Sequence, residues 1–142
     1  MTLGHELVGV GPLRVVILND WMADTSTWDG ARGYLDGARF CFAFADLRGY
    51  GRSRDRGGAF TVIEAAADVV ALADALAWDR FAIVGHSMST LVALHLAQHH
   101  GDRIAAAVVI TPPPPSGFGS TTPPSPRSRA WRAATTRPAS AT

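Results

Sequence analysis

Cysteine is almost missing from this chain. Cys41 stands alone, so no intramolecular disulfide can form, and no cysteine pair has the spacing of metal ligands. It lies in an apolar run, where a free cysteine packs as a small hydrophobe. Long apolar stretches are missing too, and none approaches the length that crosses a bilayer. Residues 1–11 lack the basic start and apolar run of a secretory leader. Charge of one sign is also lacking: the formal net charge is +1 over 142 residues. Neither nucleic acid nor an anionic membrane is therefore expected as a partner. A cytoplasmic protein is the default expectation. The five histidines are too scattered for a metal site, and we expect no metal and no cofactor. One further lack bears on chemistry: downstream of Asp102 there is no Asp, no Glu and no His.

What the chain does contain is a core. It is 47% hydrophobic and 18% charged, enough for one folded domain. Residues 15–18 form a short, wholly apolar run rich in β-branched side chains, which predicts a buried strand. Residues 39–45 form another. Phe40, Phe42 and Phe44 fall on one face, Cys41, Ala43 and Ala45 on the other. Neither face is polar, so both should be covered, as in a parallel sheet flanked by helices. Residues 81–84 and 104–110 repeat the pattern. Room remains for one short strand before Val15.

Helix signals fall between these runs. Thr61 and Glu64 make a Thr-x-x-Glu capping box. Val62, Ala66, Val69, Ala73 and Leu76 then recur on one stripe. Residues 91–100 predict a second helix, with Gly101 at its C-terminal end. A weaker helix starts near Ser26 or Thr27. Strands alternate with helices, which predicts an α/β fold with an open, mostly parallel sheet. In such sheets ligands sit beyond the carboxyl ends of the strands. Residues 19–25, 46–56 and 85–89 become the segments of interest.

Composition breaks after Thr111. Residues 112–142 hold eight of the nine prolines, with much Ser, Thr, Ala and Arg. We expect a folded unit over residues 1–118 and a disordered Pro/Ser/Arg-rich tail over residues 119–142. The tail reads like a GC-rich gene translated out of frame, which places an expected change of frame near residues 117–124. Pro112 to Pro115 is read as a linker, and nothing functional is assigned to Trp78 or Trp131.

Chemistry concentrates in the segment from Phe81 to Ser89. A strand runs into a tight turn and then a helix, the setting of a nucleophile elbow. Ser87 would sit at the strained turn with its hydroxyl projecting above the sheet. The small residues Gly85 and Ser89 would let helix and strand approach closely. The helix start offers free N–H groups, so the Met88 amide can face an oxyanion.

Here the chain resembles the α/β-hydrolase superfamily over about residues 5–118. Gly85-His86-Ser87-Met88-Ser89 matches its Gly-x-Ser-x-Gly except at Ser89, where slight crowding is expected. Asp46-Leu-Arg-Gly-Tyr-Gly-Arg-Ser53 is similar to the loop after the preceding strand. The resemblance implies the N-terminal half of such a core, left incomplete. It implies Ser87 as nucleophile, with the amides of Trp21 and Met88 as the oxyanion hole. Asn19-Asp20-Trp21 stands where many members have His-Gly-x, which affects the shape of that loop. A serine nucleophile implies an acyl-enzyme route on a small carboxylic ester or lactone. Related dehalogenases and epoxide hydrolases carry an aspartate there instead.

In this superfamily the acid and the histidine of the triad follow the serine, and this chain has neither after Asp102. His86 is read as packing the turn and pointing away from the pocket. His95, His99 and His100 are read as the polar face or end of their helix, and His5 has no assigned place. Asp46 and Arg48 are expected to pair and hold their loop. Trp21, Met22 and Trp28 are candidates to line an acyl pocket. Little or no turnover is expected from these residues alone. A non-catalytic small-molecule binder and an inert fragment with exposed apolar surface are the competing readings.

Overall fold

A computed structural model describes residues 2–113. Their strands are β1 (His5–Val8), β2 (Leu13–Leu18), β3 (Phe40–Ala45), β4 (Phe81–His86) and β5 (Ile104–Ile110). The helices are α1 (Asp29–Arg32), α2 (Val62–Ala75) and α3 (Thr90–His99). The five strands make one sheet in the order β1-β3-β2-β4-β5. β1 runs antiparallel to β3, and every other pairing is parallel. The expected mostly parallel α/β sheet is present, and the room before Val15 holds β1. The supposed helix near Ser26 is a 3₁₀ turn, Thr25–Trp28, continued by the single turn of α1. The predicted tail, the change of frame, Trp131 and the second half of the proline run lie outside the described residues.

Both faces of β3 are covered, as its all-apolar sequence requires. Cys41, Ala43 and Ala45 join Val16, Leu18 and the buried stripes of α2 and α3 in the larger core. Phe42 and Phe44 pack on the opposite face with Val15, Ile17, Trp28 and Leu35. The small residues on the α2–α3 side let the helices lie close. The phenylalanines fill the face where only the short segment around α1 lies over the sheet. Cover fails at β5. Its run Ile-Ala-Ala-Ala-Val-Val-Ile has the composition of a buried strand, yet only Ile104 is buried. Val108, Val109 and Ile110 are exposed on an edge strand.

α2 starts as its sequence predicts, with one change. Thr61 Oγ1 accepts from the Glu64 amide at 3.1 Å. Glu64 Oε2 does not close the reciprocal bond to Thr61; it accepts from the Phe60 amide at 2.8 Å. Phe60 sits at φ 56°, which turns its N–H toward that carboxylate.

Asp46 and Arg48 do not pair with each other. Arg48 spans to α2, donating from Nε and Nη2 to the two oxygens of Asp68 at 2.8 and 2.7 Å. Its Nη1 lies 2.9 Å from Glu64 Oε1. Arg56 Nη2 adds a third donor to Asp68 at 3.1 Å. The hydrogen bonds to Asp68 raise the Arg48 guanidinium further above its ordinary pKa. This network clamps residues 48–56 onto α2. Removing the acceptor would leave two guanidinium groups facing a half-buried gap. Asp68→Ala is expected to cost about 3 kcal/mol of stability in urea unfolding. Glu64→Ala, which removes the more exposed carboxylate of the network, should cost clearly less.

Candidate active site

β3, β2 and β4 are parallel neighbours, so the chain leaves all three at the same edge of the sheet. Residues 19–25, 46–56 and 85–89 therefore meet, as the alternation of strands and helices predicts.

The turn after β4 has the geometry of an elbow. Ser87 lies at φ 51°, in the left-handed region that an L-residue occupies at a cost. The turn is a single 3₁₀ unit, Ser87–Ser89, that runs straight into α3. Gly85 explains its tightness. A Cβ there would lie 2.6 Å from Ser89 O and 2.8 Å from Thr90 Cα. Only glycine lets α3 start this near the strand. Ser89 does more than fit in the place of a glycine. Its buried hydroxyl accepts from the His86 amide at 2.9 Å and donates to the His86 carbonyl at 3.1 Å. Thr90 Oγ1 donates to the Ser87 carbonyl at 2.6 Å. Side-chain hydroxyls thus satisfy backbone groups that the sharp turn would leave unpaired. Met88 follows the nucleophile position, and Tyr50 Oη reaches its sulfur at 4.0 Å.

The loop after β2 is tied down by Asn19, to which the sequence reading gives no role of its own. Asn19 is completely buried. Its Oδ1 accepts from the Leu47 amide at 2.7 Å, and its Nδ2 donates to the carbonyls of Asp20 and Ala23, each at 2.9 Å. Asp46 makes the parallel link from β3. It is 1% exposed and accepts from the amides of Thr25 at 2.8 Å and Arg52 at 2.9 Å. Gly51, at φ 41°, brings its Cα against that carboxylate, where any Cβ would lie 2.4 Å from it. The structural role expected for Asp46 is real, with a different partner.

The remaining candidates are placed as follows. Trp21 and Met22 are exposed, at 63% and 81%. The Trp21 amide, expected to face an oxyanion, donates to Asp20 Oδ1 instead. Trp28 is partly buried, and its Nε1 donates to the Leu18 carbonyl at 3.1 Å. The His86 ring sits edge-on to Trp28, with centroids 6.1 Å apart. Its Nδ1 lies 3.3 Å from Asp20 Oδ2. The His86 ring thus reaches across to the β2 loop, whereas the sequence reading has it pointing away. His5 is anchored to the Leu3 carbonyl at 2.8 Å. His95 and His99 stack on α3 with ring centroids 4.4 Å apart. Trp78 is buried in the larger core. A separate groove of 560 Å3 is lined by Glu6, Asp24, Thr25, Arg32, Asp46 and Arg52, among others, and includes no elbow residue. No cluster of His, Cys, Asp and Glu among the described residues could hold a metal ion. No helix among them is long and apolar enough to cross a membrane.

The α/β hydrolase fold family matches residues 15–141, most of the chain. The chain belongs to that family. A 2-heptyl-3-hydroxy-4(1H)-quinolone dioxygenase from Mycobacteroides abscessus is 36% identical over 102 residues. That alignment takes in 69% of this chain and 35% of the relative. Among solved structures, the enol-lactonase from Burkholderia xenovorans LB400 aligns with a TM-score of 0.68 and 30% identity. It covers 74% of this chain and 41% of the enzyme. A thermophilic esterase from Thermogutta terrifontis aligns with a TM-score of 0.71 at 28% identity, covering 87% and 43%. The chain thus spans well under half the length of these relatives.

Two expectations follow from the elbow and its helix. Gly85→Ala drives a Cβ into the backbone of α3 and should cost about 3 kcal/mol, read by urea unfolding. His95 gives a pH signature. Its pKa is lowered from 6.5 by burial and then by the neighbouring His99 and His100. The unfolded chain therefore binds a proton more readily than the folded one, and stability should fall as pH drops below about 6.5. His95→Gln should flatten that slope in melts taken across pH 5 to 7.

Proposed function

We propose that this chain carries the nucleophile half of a serine hydrolase acting on a small carboxylic ester or lactone. The observation that carries the reading is Ser87 itself, at φ 51° in the turn between β4 and α3. That conformation lifts a side chain above the strand ends and sets the following amide at a helix start. Ser87 Oγ would attack the carbonyl carbon. The Met88 amide, joined by the Trp21 amide when it is free, would hold the oxygen that becomes negative. The lactonase and esterase among the similar structures support the same substrate class.

Nothing after Asp102 can serve as the late acid or histidine of a triad. A neutral serine is a weak nucleophile, and hydrolysis of an acyl-serine also needs a base. These residues alone should therefore fail to turn over. With p-nitrophenyl acetate we expect at most one equivalent of p-nitrophenol per chain, lost in Ser87→Ala. Sustained turnover abolished by Ser87→Ala would refute the claim of inactivity. Release that Ser87→Ala leaves unchanged would refute the nucleophile.

The 36% identity to a quinolone dioxygenase favours one second reading, that the ligand is a flat heteroaromatic molecule held without acyl transfer. The Trp28 and His86 rings, edge to face at 6.1 Å, put aromatic groups beside the elbow. Saturable binding of 2-heptyl-3-hydroxy-4(1H)-quinolone that survives Ser87→Ala would favour it over the hydrolase reading.

A further inference from the structure

The Asp20 side chain occupies an unusual place. Its two oxygens face two groups that an acyl-transfer site would use differently. Oδ1 accepts from the Trp21 amide, and Oδ2 lies 3.3 Å from His86 Nδ1. His86 immediately precedes Ser87, so the carboxylate bridges the β2 loop to the elbow. It cannot easily leave with its loop, because Asn19 Nδ2 holds the carbonyls of both Asp20 and Ala23. The His86 ring is in turn braced edge-on by Trp28. Among the described residues the basic group near the Asp20 carboxylate is the His86 imidazole, at 3.3 Å, and no arginine forms a salt bridge with it. The Asp20 side chain is 23% exposed, so it is open to whatever enters from the strand ends.

We propose that Asp20 is the specificity-determining residue of this site: its carboxylate, anchored by His86, fills the Trp21 donor position and closes the oxyanion hole. The proposal rests on the reading of Ser87 as nucleophile. Two effects act together. The amide already has an acceptor, so an incoming carbonyl oxygen must displace it. The acceptor is also negative, so it opposes the charge that grows on that oxygen. The site as it stands suits a ligand that presents an N–H or O–H to Asp20 better than one that must build an oxyanion beside it.

A p-nitrophenyl alkylphosphonate tests this on the full chain. Ser87 Oγ bonds to phosphorus, the bond to p-nitrophenolate breaks, the serine proton passes to buffer, and the phosphoryl oxygen takes the negative charge in between. The rate is followed by p-nitrophenolate release, and the adduct is located on Ser87 by mass spectrometry. Asp20→Gly frees the amide and removes the charge, and should label Ser87 at least 10-fold faster than the unaltered chain. Asp20→Asn keeps an acceptor but loses the charge, and should fall between the two. It carries the test where Asp20→Gly does not fold. His86→Ala removes the anchor and should also raise the rate. A merely structural Asp20 would instead lower the melting temperature and the labelling rate together. Equal labelling of Ser87 in the unaltered chain and both Asp20 variants overturns the proposal and leaves the nucleophile standing. Labelling in no variant, with folding intact, overturns the nucleophile and the proposal with it.

Discussion

The contact between Gly85 and the first turn of α3 governs the site. With no Cβ at position 85, the backbone of Ser89 and Thr90 can lie against the end of β4. The chain then has three residues in which to reverse from strand to helix, and Ser87 takes a left-handed conformation to do it. A left-handed L-residue costs roughly 1–2 kcal/mol. The hydroxyls of Ser89 and Thr90 offset that cost by three hydrogen bonds to the carbonyl and amide groups of the same turn. Each is worth about 1 kcal/mol. The strain is local and so is its compensation, which is why a turn this sharp can sit on an otherwise regular strand and helix.

Strand order carries the turn's geometry outward. β2 lies between β3 and β4, so the loop after β2 has a neighbour on each side. Two buried polar residues make those neighbours into one unit. Asn19 binds the Leu47 amide across to the β3 loop, and Asp46 binds the Thr25 amide back toward the β2 loop. Buried polar groups persist when their partners are fixed. Here the partners are backbone amides, which change of side chain does not remove. The Arg48–Asp68 bridge then secures the far side of the β3 loop on α2. Buried side chains thus join the β2 and β3 loops through main-chain amides, and the parallel β2–β4 ladder sets the elbow beside them.

Much of this was legible in the residues. The four central runs of apolar residues became β2 to β5, because strands covered on both faces leave an unbroken hydrophobic signature. Gly85 and Ser87 were legible because their spacing follows from backbone geometry within one turn. The long-range pairings were not. Arg48 binds Asp68, not Asp46, because the register between a loop and α2 has no local sequence signal. The role of Asn19, and the reach of Asp20 to His86, depend on β2 and β4 being neighbours. Ser89 looked like a departure to be tolerated, whereas its hydroxyl joins the turn's hydrogen bonds. In β5 the local pattern and the surroundings disagree. Its composition predicts cover that the described residues do not supply, so a strand's sequence can record an environment wider than the one around it.

The left-handed backbone at Ser87 bears on how this protein can drift. Glycine adopts that conformation freely, so exchange of serine for glycine there would relieve strain and make the fold easier to keep. A lineage that had no use for the hydroxyl would meet no penalty in stability for discarding it. Position 87 is one where selection for folding and selection for chemistry pull in opposite directions, and the serine found there is the outcome that folding alone would not favour.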